Sequence, residues 1–400
     1  MIMRKRYDIV IVGAGPAGLS AAYSAAKSGA SVLVLERDDS IAHNIRTSGV
    51  SWIEEMNRFE IGREHYNLIR NYAFFSPSNE ITINGKEARC CVLDVRNTYQ
   101  HLAFEAADAG ANIMVRANAT NAILKNDRIA GVRVSTPKGE LNIESGLVID
   151  ASGFSTAIGR KIGAAQEWKR YGVGAEYECY AENVDDETWM LMVGSKYSPA
   201  GYAWVFPVRK NRVRIGVGVG RPESGEEPLE ILNSMLERRE KPLDKMGKLE
   251  TIELHYGFIS NEGARRNTVA DGFMLVGDSA GQSNPLVLEG IRYAIEFGRL
   301  AGEIGARALQ YGTTRESLSE YEKVWKAKVE GRIAAALKVQ SRWLNLTDEE
   351  WDREIEIMRD MSADEFLDFI RADFSMSKMM KLALHHPKAA ARQLFNMVLS

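Results

Sequence analysis

Cysteine is scarce in this chain. Three cysteines in 400 residues, two adjacent (Cys90, Cys91) and one remote (Cys179), imply neither a disulfide framework nor a metal knot. Such usage fits a reducing, cytoplasmic setting. An excess of one charge is also missing. The 51 Lys and Arg residues against 54 Asp and Glu leave a formal charge of −3, and no basic run gathers the cations, so nothing draws the chain to nucleic acid. No stretch offers the ~20 uninterrupted apolar residues of a membrane span. The basic start, MIMRKR, leads into an apolar run with no cleavage-site pattern before the first glycines. That run reads as a first strand rather than a signal peptide. Internal repeats and low-complexity segments are absent as well.

What is present is organised around residues 7–37, YDIVIVGAGPAGLSAAYSAAKSGASVLVLER. A short apolar strand at 9–12 runs into Gly13-Ala14-Gly15-Pro16-Ala17-Gly18, then an alanine-rich helix, then a second apolar strand at 31–35 that ends in Glu36. Gly13 permits the tight turn, Gly15 lets backbone approach a pyrophosphate, and Gly18 lets helix and strand pack closely. The helix N-terminus presents free N–H groups and a partial charge of roughly +0.5 to a diphosphate. Glu36 stands where a carboxylate accepts from adenosine ribose hydroxyls, and it disfavours a 2′-phosphate there. A glycine turn alone is weak evidence, because a βαβ unit without ligand carries one too. The flanking strands and the acidic residue make dinucleotide binding the better reading.

With ~100–200 residues per domain, this length predicts two or three domains. Patterning predicts a short helix at 52–59, β-hairpin strands within 71–93, an amphipathic helix at 96–109, and strands at 112–115, 122–124, 129–136 and 141–149. From 171 to 259 the pattern turns to strands rich in aromatic and small residues, interrupted by one helix at 228–238. The chain then returns to a buried strand, FMLVGD at 273–278, followed by a long helix near 290–309. From Ser317 on, Gly and Pro nearly vanish and the spacing is helical. The expected fold class is α/β: a Rossmann-like dinucleotide domain (1–165 and 265–315), an inserted antiparallel β-sheet substrate domain (166–264) and a helical C-terminal region (316–400).

A strand ending in Gly277-Asp278 and followed by Ser279-Ala280-Gly281 could be an ordinary N-capped helix start. With the N-terminal motif some 260 residues earlier, it reads instead as a second cofactor contact. There a carboxylate accepts from a ribityl chain, and a helix N-terminus faces the flavin. GAGPAG with Glu36, Arg96 opening a helix, the Asp150-Ala151-Ser152-Gly153 segment and GDSAG at 277–281 together resemble flavoproteins of the p-hydroxybenzoate hydroxylase type. The segment PAGYAWVFP at 199–207, the Gly-rich strand at 213–220 and residues 285–291 look most like the geranylgeranyl reductase family, including archaeal digeranylgeranylglycerophospholipid reductases.

This resemblance implies FAD as cofactor and hydride transfer from reduced flavin to C=C bonds of an isoprenoid lipid or quinone side chain. It implies an electron donor such as NADPH or ferredoxin, the latter an electron-donor protein, and a prenyl-chain substrate in an apolar tunnel. Implied cofactor contacts are Gly13, Gly15, Pro16, Ala17, Gly18, Glu36, Arg37, Arg46, Arg96, Gly153, Gly277, Asp278, Gly281, Pro285, Glu289, Gly290 and Ile291. Tyr202, Trp204 and Phe206 alternate on a strand and share one face, either lining the tunnel or forming a plain aromatic sheet core.

Three departures stand out. Where the family carries a cysteine near the flavin, this chain has Thr47, a poor acid; His43 is the nearest titratable alternative, though such a loop histidine is more often simply solvated. Leu288 replaces a small residue in the turn after Pro285. Ser152 stands where the aromatic hydroxylases usually carry glycine, which weakens the case for an NADPH-driven hydroxylase. The candidate catalytic residues are thus Thr47, His43, Tyr202 and Trp204. Rival readings are an FAD-dependent monooxygenase or halogenase on an aromatic or other small hydrophobic substrate, and a flavin-bearing binding protein. The basic amphipathic stretch 377–399 reads first as a helix packed on the cofactor domain and second as a peripheral membrane contact.

Overall fold

The computed structural model describes residues 5–385. Among them, two large sheets face a shared cleft. The first sheet runs Val269–Ala270, Phe273–Leu275, Gly139–Asp150, Arg6–Val12, Val32–Leu35, Asn112–Met114, and the last five of these strands pair in parallel. Within Arg6–Val12, residues 9–12 are buried on both faces, which matches their continuous apolar run. Asn118–Lys125 and Arg128–Thr136 form an antiparallel flap on the first half of Gly139–Asp150. The chain is a mixed α/β fold, as expected.

The second sheet has seven strands in the order Leu249–Ser260, Tyr171–Ala181, Arg212–Arg221, Gly201–Arg209, Thr188–Val193, Asn71–Phe75, Glu80–Asn84. The hairpin expected within 71–93 is thus split. Its first two strands join this sheet through parallel pairing of Asn71–Phe75 with Thr188–Val193, while Cys90–Leu93 sits between Val50–Trp52 and Tyr66–Ile69 in a separate small sheet. The helix expected at 52–59 begins one residue later, at Ile53, because Trp52 still pairs with Cys90. The strand expected at 273–278 stops at Leu275, since Gly277 already lies in a left-handed turn at φ +68°. All three cysteines are buried and unpaired.

Two helices position the cleft. Pro16–Lys27 and Ile291–Ala308 run side by side, with their N-termini at the same end. Their approach is backbone to backbone. A Cβ on Gly298 would lie 2.4 Å from the Ala17 carbonyl oxygen, and one on Gly302 would lie 2.2 Å from that of Ala21. The alanines of the first helix and the glycines of the second form facing stripes, so no side chain holds the helices apart.

The C-terminal helices do more than follow the pattern. Arg315–Trp343, 29 residues and about 44 Å long, begins on the first sheet, where Tyr321 and Trp325 are buried. It ends over the second sheet, where Ala336 and Trp343 join Trp189, Phe206 and Tyr72. Asp348–Met358 and Ala363–Ile370 then cover the same sheet face, each started by a capping box. Lys378, in the helix Met376–His385, is ion-paired with Asp368 (2.9 Å) and Asp373 (2.5 Å), which docks the start of that helix on its predecessor. Most of the basic stretch 377–399 lies outside the described residues. Among the described residues, no helix is long and apolar enough to cross a membrane.

Substituting Gly302→Leu should force these two helices apart. The expected result is a loss of about 1–3 kcal/mol in urea unfolding.

Candidate functional site

Strand register builds the site. Val12 pairs with Leu35 on one side and with Asp150 on the other, and Asp150 pairs with Leu275. Four strands therefore end level. The turns that follow, at Gly13, Glu36, Ala151 and Gly277, open side by side into one cleft of about 570 Å³.

At one end, the GxGxxG glycines divide their work. Gly13 adopts φ +100°, and a Cβ there would lie 2.5 Å from the Ala151 carbonyl oxygen. Gly15 faces open space: a Cβ would meet nothing within 4 Å. Gly18 sits behind the turn, where a Cβ would lie 1.9 Å from the Gly13 carbonyl oxygen. Pro16 and Ala17 line the cleft, and no side chain caps the helix. Glu36 is held at the wall, accepting from the backbone N–H of Ala14 (3.0 Å) and of Asp38 (2.9 Å), with Arg37 beside it.

Opposite, Gly277, Asp278, Glu289, Gly290 and Ile291 line the cleft. Gly290 caps the helix Ile291–Ala308 without a side-chain hydrogen bond, and a Cβ on it would lie 3.1 Å from Asp278 Oδ1. Burial pushes the Asp278 carboxyl up to about 6. Glu289 is buried and ion-paired with Arg292 at 2.8 Å. Leu288, the bulky departure, lines the cleft in the left-handed region at φ +53°, a conformation that strains a leucine. Gly281 and Pro285 do not line it. Gly281 packs under the Gly263 carbonyl, and the Pro285 carbonyl accepts from Gln340.

Between these ends lie Gly153 and the loop bearing Arg46 and Thr47. Arg214, fully buried, donates to the carbonyls of Ser48 (2.8 Å) and Leu93 (2.9 Å) and so ties that loop to the second sheet. Arg46 pairs with Asp38 at 3.1 Å. Besides Gly18, Gly281 and Pro285, two further expected residues fall outside the cleft. Arg96 bonds Glu253 at 2.6 Å, and His43 is exposed, 3.6 Å from Asp39. Asp150 is fully engaged within the chain: its carboxylate accepts from Ser152 N (3.0 Å), Ser152 Oγ (2.5 Å), Ile158 N (2.9 Å) and Gly159 N (2.8 Å). Ser152 thus completes an internal cap at that turn.

The floor of the cleft is the second sheet. Tyr202 Oη donates to the Val287 carbonyl at 2.9 Å, and Trp204 Nε1 donates to Glu176 at 2.7 Å. The register explains the glycine-rich strand. Gly216 lies between Trp204 and Glu176 in one cross-strand row, and a Cβ there would come within 2.3 Å of the indole. Glycine therefore lets the ring lie flat across the strand and reach its acceptor. Glu176 also meets His255 Nδ1 at 2.9 Å. Burial pushes the Glu176 carboxyl up, but His255, Arg214 and Trp204 together hold it below its ordinary range. Sequence reasoning missed Glu176, His255 and Arg214, because the partners that give each its role are distant in sequence. It also missed that Trp343, Trp351 and Phe366 of the C-terminal helices wall the far end.

The FAD dependent oxidoreductase family model matches residues 8–209, and the geranylgeranyl reductase catalytic domain model matches 171–259. The chain is 31% identical over 397 residues to digeranylgeranylglycerophospholipid reductase 2 of Methanococcoides burtonii, covering 94% of this chain and 95% of the relative. It is 32% identical over 355 residues to digeranylgeranylglycerophospholipid reductase 2 of Methanothermobacter thermautotrophicus, covering 87% and 90%. The chain belongs to the geranylgeranyl reductase family of FAD-dependent oxidoreductases. The fold of this family member is similar to that of a geranylgeranyl bacteriochlorophyll reductase-like protein from Thermoplasma acidophilum (TM-score 0.86, 24% identity, 98% and 99% of the two chains). It is also similar to that of a flavin-dependent brominase (TM-score 0.73, 16% identity, 94% and 97%). The cleft of this reductase-family chain fits FAD: two uncapped helix N-termini converge on it, and Gly15 leaves open the approach a diphosphate needs.

Two outcomes are expected. Gly216→Val should displace the Trp204 indole, strand the buried Glu176 carboxylate and lower urea stability by about 1–3 kcal/mol. In cofactor-free protein, native Asp278 holds its proton to higher pH than the unfolded chain, whose carboxylates titrate near 4. Stability should therefore fall as pH rises from about 4 through 6. Asp278→Asn should flatten that fall in thermal melts taken across the same window.

Proposed function

We propose that this protein saturates C=C bonds of an isoprenoid lipid, such as the geranylgeranyl chains of a phospholipid or the side chain of a quinone. The observation that carries this reading is the polarity gradient of the cleft. Its cofactor end holds Glu36, Asp38 and Asp278, whereas its far end is walled by Phe74, Trp189, Phe206, Trp343, Trp351 and Phe366. A substrate with a long hydrocarbon chain suits such a chamber. Each buried methylene contributes about 0.8 kcal/mol, so affinity needs few polar contacts. The names of the archaeal relatives point the same way.

In this reading FAD, once bound and reduced, would supply hydride. Gly13, Gly15, Pro16, Ala17 and the first turn of Pro16–Lys27 would hold the diphosphate, Glu36 the ribose, and Asp278 with Gly290 and Ile291 the ribityl and flavin end. Tyr202 and Trp204 are fixed by their hydrogen bonds to Val287 and Glu176. They orient the alkene against the cofactor rather than serving as loose wall residues. Thr47 shapes the wall opposite. The C-terminal helices exclude water from the chamber.

An anaerobic single turnover tests the proposal. Chemically reduced holoenzyme mixed with a geranylgeranylglyceryl phospholipid or a polyprenyl quinone should reoxidise its flavin, and the lipid should gain two hydrogens per turnover by mass. A flavin that stays reduced with every prenyl lipid, yet reoxidises with oxygen while modifying an aromatic compound, would instead place the protein with the monooxygenases.

A further inference from the structure

Saturating a double bond takes a proton as well as a hydride, and with Asp278 given to the ribityl end of the cofactor the cleft offers few other groups that can give one. Among the described residues, no cysteine and no lysine lines it, and its only imidazole is that of His255. The Tyr202 hydroxyl is committed to the Val287 carbonyl. Glu289 is ion-paired with Arg292 through Oε2, while its Oε1 has no partner. His255, by contrast, is 3% exposed and bound at Nδ1 by Glu176, which is 4% exposed. Its Nε2 is ion-paired with Glu253 at 3.6 Å, longer than a normal hydrogen bond. A buried polar group whose nearest partner is this far is poorly satisfied.

The placement is specific. Glu253, His255 and Gly257 share one face of Leu249–Ser260, because residues two apart on a strand point the same way. A Cβ on Gly257 would lie 2.4 Å from the Arg46 carbonyl oxygen, so this face lies under the loop that carries Thr47. Across the sheet the row continues from His255 to Glu176, Gly216 and Trp204. The aromatic floor, the imidazole and the Thr47 loop thus meet on one patch.

We propose that His255 is the proton donor to the substrate carbon, positioned by Glu176, and that this pair acts where Thr47 has no useful acidity. The assignment rests on the isoprenoid-reduction reading above. The π bond breaks. One carbon takes hydride, with its electron pair, from the reduced cofactor; the other takes the proton as the His255 Nε2–H bond breaks. His255 then regains a proton from solvent, and the cofactor is left oxidised. The charged and titratable groups around His255 are Glu253 on its own strand, Glu176 and Glu178 on the neighbouring strand, and Arg212 and Arg214 beyond it. Arg96 reaches in through Glu253, and Tyr99 faces the same cleft.

The test uses reduced holoenzyme and a geranylgeranylglyceryl phospholipid under anaerobic conditions. His255→Ala should bind FAD as wild type does but reoxidise it about 100-fold more slowly or worse. Added imidazole should restore about tenfold or more of that loss. Independently of turnover, the ring NMR signals of His255 in cofactor-free protein should shift in Glu176→Gln, because that variant removes the carboxylate bound at Nδ1. Wild-type rates in the His255→Ala holoenzyme would overturn the proposal while leaving the reductase reading intact. A slow His255→Ala that imidazole does not rescue, with His255 ring signals unmoved in Glu176→Gln, would mark a structural residue and overturn it too. If His255→Ala fails to hold FAD, His255→Gln is judged by the same rates. A wild-type enzyme that reduces no prenyl lipid would overturn the reductase reading, and the proposal with it.

Discussion

Everything in the cleft depends on one constraint, the level ending of the strands around Val12. Its pairing with Leu35 and with Asp150, and that of Asp150 with Leu275, sets the turns at Gly13, Glu36, Ala151 and Gly277 beside one another. Parallel sheets concentrate strand ends at one edge, so a ligand can meet several turns at once. A register slip of one residue would turn each strand's side chains to the opposite face and separate those turns.

Glycine serves two physical ends here. At Gly13 and Gly277 it supplies left-handed backbone, at φ +100° and +68°. At Gly18, Gly216, Gly298 and Gly302 it supplies the absence of a side chain, so that backbone or an indole ring can come where a Cβ would sit. The second use is the more consequential. It brings two helix N-termini to one cleft, and it lets Trp204 reach Glu176 across a strand. The oriented aromatic floor and the polar pair beneath it are therefore a single construction.

Much was legible along the chain. The βαβ unit, the returning strand near Phe273, the aromatic strand bearing Tyr202 and Trp204 and the helical C-terminal region all rest on local pattern, turn chemistry and short spacing. Those signals survive folding because burial acts on the same periodicity that produces them. Less legible were the residues whose meaning depends on a distant partner. Arg96 opens a helix as expected, but Glu253, 157 residues away, takes its guanidinium. His43 looked close to Thr47 in sequence, yet its side chain turns to solvent. Ser152 looked like a departure and proved to be part of a cap on Asp150.

By itself the sequence determined the dinucleotide motif, the class of cofactor and the alternation of sheet and helix, because these follow from neighbours within a turn or a strand. Only the tertiary structure decided what forms the floor, the walls and the polar centre of the cleft. Glu176, His255 and Arg214 share their strands with other charges, and nothing local sets them apart. Their role arises from hydrogen bonds to residues 28, 79 and 166 positions away, which pair only once the second sheet has formed and the Ser48 loop has packed against it. The C-terminal tryptophans likewise read as helix core until the fold lays that helix over the second sheet and turns their faces into a wall.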